Sequence, residues 1–166
     1  WAAAQPRNRV FAFEPSPAVF EMLRTNIHES NFSSEIQTLN IALSRKVGLV
    51  EFDFGSPDQS GWGGICCLHS HNTIQVEAVT LDEIAPRNLT IDVLKIDTEG
   101  ADAWVLEGAQ GLLRARQIRH VFFEQNLPRM SALGIHQEAS FRILSSCGYQ
   151  LVKFGRNEDM FYARPA

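Results

Sequence analysis

The 166-residue chain predicts an α/β domain with a mostly parallel sheet sandwiched between helices and an antiparallel hairpin at one edge. Three observations carry this. Short apolar runs alternate with stretches of helical periodicity along the whole chain. The run Ile91–Ile96 is nearly continuous in apolar residues, as suits a strand covered on both faces. The last two β-rich runs flank Gly155–Asp159 at hairpin spacing.

Taken in order, Arg9–Phe13 reads as a strand ending at Glu14-Pro15. Ser16-Pro17 is an N-cap with proline at the first helical position, and Val19, Phe20, Met22, Leu23 and Ile27 recur at helical spacing to a stop near Asn31. Ile36–Ala42 is the next expected strand. Gly48–Phe54 and Thr73–Val79 pair as a hairpin across a long loop, and Thr80–Glu83 matches a capping box. After Asp97–Gly100, the pairs Trp104/Val105, Gly108/Ala109 and Leu112/Leu113 form one helical stripe, which places Trp104 in the core. Ile118–Phe123 is a strand ending at Glu124, and a helix at Gln137–Ser146 is closed by Gly148. Tyr149–Phe154 and Met160–Ala163 form the closing hairpin. No repeat or second domain is visible, so residues 1–166 read as a single domain.

Composition narrows the function. Apolar residues make up 45% and charged residues 20%, with a net charge of −4, which argues against a general nucleic-acid or anionic-membrane binder. No apolar run reaches the length of a membrane span and no signal peptide is visible at the start. Three cysteines, two of them adjacent at Cys66-Cys67, do not read as a disulfide framework or a zinc site. A reducing, cytoplasmic setting is the expectation, with Cys66-Cys67 as small hydrophobes.

Three strands end in a carboxylate: Glu14, Asp97 and Glu124. Ligands of open α/β sheets bind at the carboxyl ends of strands. Glu14 fits an acceptor of both ribose hydroxyls, and equally a carboxylate that ends a strand in solvent. Asp97 suits a base or an orienting group, and Gly100 permits close approach of backbone and ligand. Thr98 alternatively caps a helix, with Glu99 and Asp102 as dipole-favoured residues of its first turn. Of the weaker signals, His69 and His71 read as a polar loop before a metal pair, and no metal is expected. Gly61–Gly64 with Trp62 is a substrate lid or a hairpin connection.

The stretches VFAFEPSPAVFEMLRTNI, LNIALS, VEAVTLDEI, IDVLKIDTEGADAWVLEGAQGLL, FFE and DMFYARP resemble, in order and spacing, the FkbM-type methyltransferases. The resemblance covers nearly the whole chain. It implies a Rossmann-like class I three-layer sandwich and S-adenosyl-L-methionine as cofactor, with methyl transfer to a hydroxyl oxygen of a small molecule or glycan. It also implies that Glu14, with Pro15 beside it, binds the cofactor ribose and that Ala42 and Leu43 lie near the adenine. Asp97 then contributes to cofactor binding and, with Glu99, borders the methyl-transfer site, and Glu124 stands across the cleft. Members of the family carry a first strand and a GxNxG-type turn before the Glu14 strand. Only eight residues precede Arg9 here, so the sequence is expected to be N-terminally incomplete, with a preceding helix ending around Trp1–Ala4. A central gap would expose strand edges and make the chain aggregation-prone. The competing readings are a non-catalytic methyltransferase-like binding or scaffold module, an inactive fragment, and a nicotinamide-dependent oxidoreductase. The last lacks a GxGxxG motif.

Overall fold

The computed structural model describes residues 8–54, 63–66, 73–86, 88–153 and 159–166. The expectations for Trp1–Ala4, Gly61-Trp62, Cys67, His69–His71 and Phe154 lie outside these residues. Among these described residues, ten strands and six helices follow in the order β1 (Val10–Phe13), α1 (Pro17–Glu29), β2 (Ile36–Leu39), β3 (Ala42–Leu43), β4 (Gly48–Asp53), β5 (Gly64–Ile65), β6 (Thr73–Val79) and α2 (Leu81–Ile84). Then come β7 (Ile91–Ile96), α3 (Asp102–Glu107), α4 (Gln110–Arg114), β8 (Ile118–Glu124), α5 (Leu127–Ala132), α6 (Ala139–Ser146), β9 (Tyr149–Lys153) and β10 (Met160–Pro165).

The strands form three ladders among the described residues: β1-β2, β3-β6-β4-β5 and β7-β8-β10-β9. The β1/β2, β3/β6 and β7/β8 pairs are parallel. The other four pairs are antiparallel, so the expected mostly parallel sheet is corrected. Beside the two expected hairpins, the antiparallel β4/β5 and β8/β10 pairs account for the difference.

Local signals explain several element ends. Ser16 caps α1, its Oγ accepting from the Val19 amide at 3.4 Å, with proline inside the first turn. Thr80 caps α2, accepting from the Glu83 amide at 3.2 Å while its hydroxyl donates to the Glu83 carboxylate at 2.9 Å. Gly148 follows α6 at φ +78°, the left-handed position that glycine takes without a Cβ penalty.

Two expected elements are broken. Ile36–Ala42 divides into β2 and β3, which join different ladders. Asn40 stands at the break and its Nδ2 donates to the carbonyls of Glu14 at 2.8 Å and Pro15 at 3.1 Å. The stripe from Trp104 to Leu113 is two helices, because the backbone of Ser44 crosses at Gly108. A side chain on Gly108 would overlap the Ser44 carbonyl. Across the same junction Asp82 accepts from the amides of Gly111 at 2.7 Å and Leu112 at 2.9 Å, capping α4 from a residue far earlier in the chain.

One core cluster packs α3 and α4 on β7, β8 and β10 through residues such as Leu106, Leu113, Ile118 and Val121, all fully buried. A second gathers Ala42, Phe52, Val76, Ala103, Trp104 and Met130. Trp104 is buried as expected, and the Arg45 guanidinium lies 4.3 Å from its ring centre. No helix among the described residues is long and apolar enough to cross a membrane.

Candidate functional site

A cavity of about 240 Å³ opens where β1, β3, β5 and β7 end. Phe13–Ser16, Ala42-Leu43, Phe52, Phe54, Gly63–Ile65 and Asp97–Glu99 line it, with Val19 of α1. Glu14, Pro15, Ala42, Leu43, Asp97 and Glu99, expected at the site from sequence, are therefore brought together. Its wall combines an apolar slot with three carboxylates, a donor-seeking arrangement suited to a ligand carrying hydroxyl or cationic groups and a flat apolar part.

Glu14 follows β1, and its amide extends the ladder by donating to the Leu39 carbonyl at 3.1 Å. Its Oε1 accepts from the Ser16 amide at 2.8 Å. Burial raises the Glu14 carboxyl above its ordinary value, against the Ser16 bond, which lowers it. The Asn40 amide holds the Glu14 and Pro15 carbonyls, so the turn that aims Glu14 is tied to the β2–β3 break.

Asp97 is exposed and pairs with Lys95 at 2.6 Å. With both side chains more than half exposed, this pair adds little stability. Glu99 takes φ +50°, and its Oε2 accepts from Asn126 Nδ2 at 2.8 Å. Thr98 does not cap α3: Ala101 is the N-cap residue, without a side-chain bond. The Thr98 hydroxyl is instead buried with no hydrogen-bond partner. Gly100, at φ +95°, is closely packed: a Cβ there would lie 2.8 Å from Arg129 Cβ and 2.9 Å from the Met130 amide nitrogen.

Two site expectations change. Glu124 does not line the cavity. Its neighbours Phe123 and Gln125 are buried, so strand alternation turns Glu124 outward, opposite Met160 of β10. The alternation of Val121 and Phe123 was the available signal. Asp102, read from sequence as an ordinary first-turn acid, is 1% exposed, and both its carboxylate oxygens lack a hydrogen-bond partner. Burial pushes its carboxyl up to about 7 and the charge of Asp97 adds to this, while the nearby amides of Asp102, Gly100 and Thr98 draw it down. No sequence signal distinguishes it from a solvated residue.

Among the described residues no cluster of three or more His, Cys, Asp or Glu side chains could hold a metal ion. Around the cavity, Glu14 offers an acceptor for paired hydroxyls, Ala42, Leu43 and Phe52 an apolar surface, and Asp97 and Glu99 further carboxylates.

The family model of the methyltransferase FkbM domain matches residues 2–151. The crystal structure of a methyltransferase FkbM from Methylobacillus flagellatus superposes with a TM-score of 0.59 at 16% identity, over 95% of this chain and 36% of that one. The chain thus spans about a third of that protein's length. A search of curated proteins found no match.

Proposed function

Because the chain belongs to the FkbM methyltransferase family, we propose that its cavity binds S-adenosyl-L-methionine and that the methyl group passes to a hydroxyl oxygen of a small molecule or sugar. One observation carries the reading. Glu14, Ala42-Leu43 and Asp97–Glu99, far apart in sequence, line a single cavity at the ends of their strands. The Rossmann-like class I layout belongs to the same proposal, as does a cytoplasmic setting.

The cofactor, when bound, supplies an activated methyl group. The protein's part is then alignment and exclusion of water. Glu14 has one oxygen engaged by the Ser16 amide and presents the other, with a remaining lone pair, to the ribose hydroxyls. The Ala42-Leu43 wall and Phe52 receive the adenine. Asp97 and Glu99 border the polar end, where a carboxylate can take the proton of an acceptor hydroxyl.

The test is isothermal titration of the chain with S-adenosylhomocysteine and, separately, with a nicotinamide dinucleotide. Saturable binding of the first alone is expected. Binding of the dinucleotide alone, or of neither, contradicts the reading. A non-catalytic binding module is the second reading, favoured by the absence of any pairing between β1 and β7 among the described residues. It predicts cofactor binding without transfer to any acceptor.

A further inference from the structure

The side chain of Asn126 is engaged at both ends. Its Oδ1 accepts from the Arg129 amide at 3.3 Å and so caps α5. Its Nδ2 donates to Glu99 Oε2 at 2.8 Å. A primary amide has one accepting and one donating end, so the capping bond decides which end is left for Glu99. Glu99 itself sits in the left-handed region, a conformation unfavourable for a non-glycine residue that needs support from its surroundings.

Helix α5 also packs closely against two glycines, Gly64 of the cavity lining and Gly100 directly after Glu99. Gly100 approaches Arg129 and Met130 closely enough that no Cβ fits. A Cβ on Gly64, in β5, would lie 2.5 Å from Arg129 Nη2 and 3.3 Å from Glu99 Cβ. The start of α5, the Glu99 turn and β5 therefore form one packed unit beside the cavity.

We propose that Asn126 is a positioning residue, which holds the Glu99 carboxylate at the cavity wall with Nδ2 while Oδ1 caps α5. What the cavity binds is taken from the methyl-transfer reading; the positioning itself rests on the hydrogen-bond pair. Asn126→Asp separates the two duties. An aspartate still accepts from the Arg129 amide, so the cap survives. It no longer donates to Glu99 and repels it instead.

The experiment compares wild type, Asn126→Asp, Glu99→Ala and the double variant by titration with S-adenosylmethionine and by thermal unfolding. Asn126→Asp is expected to weaken binding about tenfold, because the Glu99 carboxylate is no longer held at the cavity wall, and to lower the unfolding midpoint by several degrees while the transition stays cooperative. In the Glu99→Ala background the same substitution should change affinity by less than about twofold. Equal loss in both backgrounds, or no loss in either, overturns the proposal. A ligand-free readout keeps this separate from the methyl-transfer reading: the ¹H–¹⁵N resonances of the Asn126 side-chain amide should move on Glu99→Ala. If wild type fails to bind S-adenosylmethionine, the methyl-transfer reading falls. The amide resonances then decide the positioning, a shift supporting it and unmoved resonances overturning it.

Discussion

The carbonyl oxygen of Ser44 occupies the space that a side chain on Gly108 would need. This contact breaks the helical stripe into α3 and α4, and it brings the segment after β3 down onto that break. Ala42 and Leu43, on the cavity wall, precede Ser44 directly. Helix geometry more than 60 positions away in the chain thus sets where the cavity wall stands.

Gly108→Ala is expected to destabilise the protein by about 1–3 kcal/mol, the usual cost of overpacking. Because the obstruction is backbone, Ser44 must shift and the Ala42-Leu43 wall with it. Thermal unfolding and cofactor titration on the same sample check both effects. Unchanged stability and affinity would show that the helix break has another cause.

Asp82→Ala should cost about 1–2 kcal/mol, since it leaves the Gly111 and Leu112 amides at the start of α4 without their cap. Asp82→Asn can accept only one of the two bonds well and should fall between. Asp82 lies outside the cavity lining, so cofactor affinity should follow wild type in both variants. Denaturant titration beside calorimetry distinguishes the effects.

Asp102 predicts a specific pH dependence. Its folded carboxyl lies at about 7, against an ordinary 3.8. The folded state therefore holds a proton that the unfolded chain releases between these values, and stability falls as pH rises through that window. The penalty approaches about 4 kcal/mol above pH 7 and vanishes below about pH 4. Asp102→Asn, which cannot ionise, should match wild type near pH 4 and become progressively more stable than it up to pH 8. A difference in unfolding midpoint that stays constant over this range would show that the carboxyl is already ionised.

Where neighbouring residues decide the structure, the sequence was legible. Ser16-Pro17, Thr80–Glu83 and Gly148 mark element ends that the structure contains, and the β-rich runs Gly48–Phe54 and Thr73–Val79 pair as expected. The cavity wall was legible through Glu14 and Asp97–Glu99, because strand-end carboxylates are local features too. Contacts made across long stretches of chain left no such mark. The Gly108 break depends on Ser44, and the split of Ile36–Ala42 coincides with the contact from Asn40 to the β1 end. The burial of Asp102 depends on what packs over α3, and helical spacing alone cannot report it. Asn126 was missed because neither of its two duties is visible until α5 and the Glu99 turn meet.

The central claim is that Glu14 receives the ribose of a bound S-adenosyl cofactor. Titration of wild type and Glu14→Ala with S-adenosylhomocysteine and with its 2′-deoxy and 3′-deoxy analogues tests it most directly. Wild type should bind each analogue about tenfold or more weakly than the parent, as expected for losing a hydrogen bond to a charged acceptor. Glu14→Ala should bind all three ligands alike, at the weaker level. An analogue penalty that persists unchanged in Glu14→Ala, or an affinity for the parent ligand that the substitution leaves untouched, would contradict the assignment.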